Sequence, residues 1–114
     1  MRQKITVTRG RSETIRVVVP DANGNAYVMS EGETLLFGVK KADASGDLLI
    51  LKTTTECADG VATFQLTPED TIDLEYGRYA YDVSLKSGVD LFDVVKTAPF
   101  VVESNVTKWG DWLD

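Results

Sequence analysis

Residues 76–85 read YGRYAYDVSL. Tyr79, Tyr81, Val83 and Leu85 fall on one side of an extended chain, and Ala80, Asp82, Ser84 and Lys86 on the other. A period of two predicts a strand with one buried face and one wet face. Gly77, Tyr79 and Tyr81 form G-x-Y-x-Y, the spacing of an immunoglobulin-type tyrosine corner, with Tyr81 where such domains often carry their second cysteine. The three residues thereby acquire a structural role. The Tyr79 hydroxyl is expected to bond backbone around the preceding turn, and Tyr81 to fill a core without a disulfide.

The rest of the chain supplies strands for this one to pack against. Gln3–Thr8 and Ser12–Val19 read as the first two, with Ile15, Val17 and Val19 on one face, and Pro20 ends the second because it cannot donate to a ladder. Asn23-Gly24 marks a tight turn. Glu33–Lys41 turns Leu35, Phe37 and Val39 inward, with Gly38 on the outer face leaving room for a neighbouring backbone. Leu48–Thr55 and Val61–Leu66 follow, the latter with Ala62, Phe64 and Leu66 inward. Thr67–Leu74 is the one helical candidate, with Thr67 as cap, Pro68 at the first helical position and Glu69 and Asp70 at the positive end of the dipole. It is too short for more than a turn or so and is expected to cross between sheets. Val89–Glu103 reads as a long last strand interrupted near Thr97–Pro99, with Phe100 and Val102 resuming the alternation.

About seven short strands with turns every 8–12 residues predict an all-β fold, an immunoglobulin-like antiparallel β-sandwich with one short helical turn. A small barrel is the competing architecture. The reading divides the chain into a sandwich over residues 1–104 and a tail over 105–114.

At 114 residues, with 43% hydrophobic and 26% charged positions, the chain is long enough for one cored domain. No apolar run approaches the ~18 residues needed to span a membrane. The N-terminal stretch has no apolar h-region, so no signal peptide and no export by that route are expected. A net charge of −6 argues against nucleic acid as the main partner. The charge is uneven, since residues 1–20 carry Arg2, Lys4, Arg9, Arg11 and Arg16 against Glu13 alone. Such asymmetry either steers head-to-tail contact between copies or with a partner, or is a solvated strand face.

The chain contains no histidine, which excludes histidine acid–base catalysis, Ser-His-Asp triads and imidazole metal sites. Cys57 stands alone, without a second cysteine or a histidine to activate it. Glu69, Asp70, Asp73 and Glu75 cluster on a capping turn rather than around a cleft. Asp21-Ala22-Asn23-Gly24-Asn25 opens like a calcium loop, but its glycine comes fourth instead of sixth and Gly32 holds the place of the bidentate glutamate. A plain turn is the reading. No phosphate-binding glycine motif occurs. Neither cofactor nor metal nor enzyme activity is expected.

Both tryptophans, Trp109 and Trp112, lie in the tail, three apart and followed by Leu113. Such rings must be buried somewhere. Either the tail folds back over an open end of its own sandwich, or Trp109, Trp112 and Leu113 dock on another subunit, tryptophan being a preferred interface anchor.

The run GVATFQLTPEDTIDLEYGRYAYDVSL resembles the end of a small β-sandwich module of bacteriophage and prophage structural proteins, which reads L-T-x-x-D-T and then L-x-x-G-x-Y-x-Y-D. RGRSETIRVVVPDANGNAYVMSEGETLLFGVKK looks like the opening of that module, with its R-G-x-x strand start, D-x-x-G turn and F-x-V-K strand. The immunoglobulin-like N-terminal domain of the phage baseplate upper protein is the family it resembles, over roughly residues 5 to 103. That family continues into a fibre-forming, receptor-binding region, whereas this chain reads on only into a short tail. The resemblance implies a noncatalytic virion component, made in the bacterial cytoplasm and serving as an assembly or attachment module of a baseplate, tail or head fibre. Its partners would be other virion proteins and itself, with neither nucleic acid nor membrane. The alternative is a bacterial carbohydrate- or protein-binding β-sandwich module.

Overall fold

The computed structural model describes residues 4–104. Seven strands and one helical turn follow in order: β1 (Ile5–Thr8), β2 (Glu13–Val18), β3 (Glu33–Lys41), β4 (Ile50–Thr54), β5 (Val61–Leu66), α1 (Pro68–Thr71), β6 (Gly77–Ser87) and β7 (Asp90–Glu103). They form two sheets. The larger runs β1-β7-β6-β3-β4 and the smaller pairs β2 with β5. The chain enters the large sheet, crosses to the small one, and repeats that alternation until β6 and β7 close the fold. This order defines an immunoglobulin-like sandwich.

Alternation along each strand decides which side is buried. Ile15 and Val17 from β2 and Ala62, Phe64 and Leu66 from β5 meet Leu35, Phe37, Val39, Tyr81, Val83, Phe100 and Val102 from the large sheet. Phe37 sits at the centre, its ring 5.4 Å from Phe64 of the opposite sheet, 5.5 Å from Tyr81 and 6.2 Å from Phe100. These spacings lie within the range in which aromatic pairs attract beyond the area they bury.

Three departures from the sequence reading have physical causes. β1 pairs parallel with β7, Ile5 lying opposite Phe100, so the sandwich is not wholly antiparallel. Alternation fixes a strand's faces but carries no information about its partner's direction. The last strand is continuous, and its irregularity lies in the pairing. Between the Tyr81–Ala98 and Ser84–Asp93 pairs β7 fits two more residues than β6, two bulges that bend the strand. Pro99 itself stays paired opposite Ala80, one residue before the pairing with β1 begins. The fourth strand starts at Ile50, leaving Leu48 and Leu49 in the preceding loop.

The glycine expectation is also corrected. A Cβ on Gly38 would meet a side-chain atom, Leu48 Cδ2, at 2.8 Å. The close backbone approach occurs at Gly60, where a Cβ would stand 2.8 Å from Ala26 Cα and φ is +76°. A positive φ and a crowded backbone together demand glycine there.

Candidate functional site

The motif residues serve the fold. Tyr79 Oη donates to the Glu75 carbonyl at 2.7 Å, so the hydroxyl reaches back over the turn that begins β6. Gly77 at φ +135° makes that turn, and the buried Tyr81 ring lies against Phe37. Burial holds the Tyr81 hydroxyl above its ordinary pKa. Arg9 stacks on the Tyr76 ring at 4.9 Å.

Two segments far apart in the sequence meet in space. The Gly10 N–H, from the R-G turn after β1, donates to Thr71 Oγ1 at 2.8 Å, and Thr71 is only 1% exposed. Asp70, its neighbour, accepts the Thr67 N–H at 2.7 Å and pairs with Lys52 Nζ at 2.9 Å. The cap on α1 therefore runs from Asp70 back to Thr67, and the same carboxylate ties the turn to β4. Burial alone would raise the Asp70 pKa. The Thr67 amide and the Lys52 ammonium outweigh it and hold the group below the usual carboxylate range. The calcium-like run is a turn, with Asp21 Oδ1 accepting from the Asn23 and Asn25 amides at 2.8 and 2.9 Å.

With these residues engaged in folding, the candidate site is the outer face of the large sheet. An outward face of an antiparallel sheet is expected to be polar. Here Leu36 of β3, Leu51 of β4, Leu91 of β7 and Leu48 of the β3–β4 loop converge around Gly38, and line a hollow of about 440 Å³ with Lys40, Gly46, Asp47, Asp82 and Ser84. Leu48, Leu51 and Leu91 are 47%, 51% and 63% exposed. Register explains the convergence. Gly38 lies opposite Leu51 on one side and Asp82 on the other, and Leu36 opposite Ser84. Because Gly38 has no side chain, Leu48 can drop onto the sheet. A second hollow of about 120 Å³ adjoins on the far side of Leu48, reaching Ala44, Ala80 and Thr97.

The charge on this face centres on Asp82. Partial burial, and then the facing Asp93, push its pKa up, while Lys40 opposes them. Among the described residues Asp82 has neither an ion-pair nor a hydrogen-bond partner. An exposed, partly desolvated acid among exposed leucines is suited to binding a cationic, partly apolar surface.

Sequence reasoning placed Gly77, Tyr79 and Tyr81 at the corner, where the structure brings them together. Trp109, Trp112 and Leu113 lie outside the described residues. The outer-face leucines were missed. Their signal was present in Leu35-Leu36 and in Leu48-Leu49-Ile50-Leu51, where both parities of a strand are apolar and neither face can be wholly wet.

No known family's sequence profile matches the chain, and no curated protein matches it. Among solved structures it is similar to Tim-1, at 12% identity over 92% of this chain and 93% of that one, with a TM-score of 0.41. A likeness at that level carries no argument, and the fold assignment rests on strand order and register.

Proposed function

We propose that this protein is a noncatalytic structural component of a bacteriophage or prophage particle, an assembly or attachment module of a baseplate, tail or head fibre that acts by protein contact. The outer-face patch of Leu36, Leu48, Leu51 and Leu91 around Asp82 is the observation that carries the contact function. Exposed apolar clusters rimmed by polar groups are a feature of protein–protein contact surfaces. The particle context draws its support from the module resemblance of the LTPEDT and YGRYAYD runs. On this reading the chain is made in the bacterial cytoplasm and incorporated into virions. The carbohydrate alternative finds no aromatic platform among the residues lining the hollow.

Mass spectrometry of purified particles from producing cells tests the reading, with the chain expected at a fixed ratio to known tail or capsid proteins. Its repeated absence from intact particles would overturn it.

A further inference from the structure

The two outer faces of the sandwich point in opposite directions and differ in kind. Register places six residues outward on the small sheet, in the cross-strand pairs Thr14–Gln65, Arg16–Thr63 and Val18–Val61. Five are uncharged, and Thr14 and Gln65 satisfy each other through a 3.0 Å hydrogen bond. The sixth, Arg16, is exposed and makes no ion pair among the described residues. Val18, two residues on and on the same face, is 70% exposed. This face therefore presents one cation beside an apolar side chain, on a flat two-stranded platform. The opposite face presents the complement, a leucine-lined hollow with Asp82 at its wall. Asp47 also lines that hollow and Asp93 faces Asp82, while Lys40 lies on the same wall and Lys86 one row beyond.

We infer that the occupant of the leucine hollow is a second copy of this chain, which presents its small sheet with Arg16 directed at Asp82 and Val18 packed among Leu48, Leu51 and Leu91. This rests on the reading of the outer face as a contact surface and specifies its partner. Both halves of the contact gain. The apolar groups leave water, and two charges without a partner of their own acquire one in a partly desolvated setting, where pairing is worth more than on an open surface. Because the surfaces lie on opposite sides of one molecule, the contact is heterologous. Each copy keeps one free surface of each kind, so growth continues as a line or closes as a ring. The platform is only two strands wide, which puts the contact in the small, weak class below ~1,200 Å² of buried surface. It forms at high protein concentration or where other contacts hold copies side by side.

Sedimentation velocity of the whole chain over rising concentration at low salt provides the test. The wild type is expected to grow without stopping at a dimer, and to dissociate as salt rises. Arg16→Glu and Asp82→Lys, both at exposed positions, are each expected to weaken association about tenfold, with unchanged melting curves. The double variant R16E/D82K restores the pair with its signs reversed and is expected to recover most of the loss. An equimolar mixture of the two single variants offers the native pair at one contact and the sign-reversed pair at the next, and is expected to recover association as alternating copies. Wild type that stays monomeric throughout, or a double variant no stronger than the weaker single one, overturns the inference. So does a loss on D82K with none on R16E, which means that like faces pair. A monomeric chain present in particles refutes the self-contact alone, whereas a polymerising chain absent from particles refutes only the particle assignment.

Discussion

Replacing Thr71 by valine removes one oxygen from the fold and little else. Valine keeps the β-branched shape, so no cavity opens at a side chain that is 1% exposed. What disappears is the acceptor for the Gly10 N–H, 2.8 Å away and 61 residues distant in sequence. The amide stays buried. Its loss is the net value of a hydrogen bond increased by the desolvation of a donor with no replacement acceptor, about 1–3 kcal/mol. Thr71→Ser makes the opposite change, keeping the oxygen and deleting a methyl, at about 1 kcal/mol. Stability is therefore expected to fall in the order wild type, serine, valine. In a domain of this size each kcal/mol moves Tm by roughly 4 °C, so the valine variant should melt about 4–12 °C below wild type.

Thermal melts followed by circular dichroism, together with urea titrations, measure the difference. The urea midpoint should fall with the slope m unchanged, since the surface exposed on unfolding does not change. Amide exchange adds a local readout, because the Gly10 N–H is expected to be protected in the wild type and in the serine variant and to exchange faster in the valine variant. Valine as stable as wild type would refute the reasoning. So would serine costing more than valine, because the methyl rather than the oxygen would then hold the β1–β2 turn to α1.

Other expectations follow from single contacts. Tyr79→Phe removes the 2.7 Å bond to the Glu75 carbonyl; water can reach the hydroxyl of this half-buried residue, so the cost should be about 0.5–1.5 kcal/mol, and an unchanged melting curve would remove the corner from the account. Gly60→Ala places a Cβ against backbone at positive φ and should destabilise by more than about 1 kcal/mol. Gly38→Ala meets the end of the Leu48 side chain and, in ordinary contact, Asp82 Oδ1, and should be near neutral in the same melts, so equal costs at the two sites would contradict the packing described. Asp70 has a pKa lowered in the folded state, so its contribution is complete above the unfolded value of about 4 and fades as pH falls through the folded one. Asp70→Asn should therefore cost stability at neutral pH, with the gap to wild type closing in acid; a gap constant down to acid unfolding would exclude the linkage.

The inward faces of β2, β3, β5 and β6 were legible because a period of two marks which side is buried, and one large residue per inward position fills the core. The α1 turn was legible from Thr67-Pro68, with Thr67 as its cap and Asp70 closing a capping box back to it. Strand direction was not legible, since β1 shows the same alternation whether it runs with or against β7. The bulges in β7 were hidden for a sharper reason. Two single-residue insertions restore the original phase, so Phe92, Val94, Ala98, Phe100 and Val102 keep one parity across both. The Gly10–Thr71 bond was visible only as two motif fragments, because a contact between positions so far apart leaves no periodicity in the sequence.

The candidate site was obscured by the strength of the core signal. Once Leu35, Phe37 and Val39 are assigned inward, Leu36 is assigned outward by parity and attracts no notice, and Gly38 reads as a gap rather than a seat. Only the fold brings β3, β4, β7 and the 42–49 loop together, so that leucines far apart in sequence become one surface. None of the exposed three, Leu48, Leu51 and Leu91, belongs to the buried core around Phe37. An outward leucine on a sheet whose other face already supplies the core adds little stability and invites association. Sheets that have to stay apart place charges in such rows, as Lys and Glu do at natural sheet edges. In this protein the row instead has leucines around Asp82 and Lys40, and the only charge among the outward cross-strand pairs of β2 and β5 is Arg16. The same sandwich thus sets an arginine beside an exposed valine on one outer face and an aspartate among leucines on the other. That division is what a module built to join others requires.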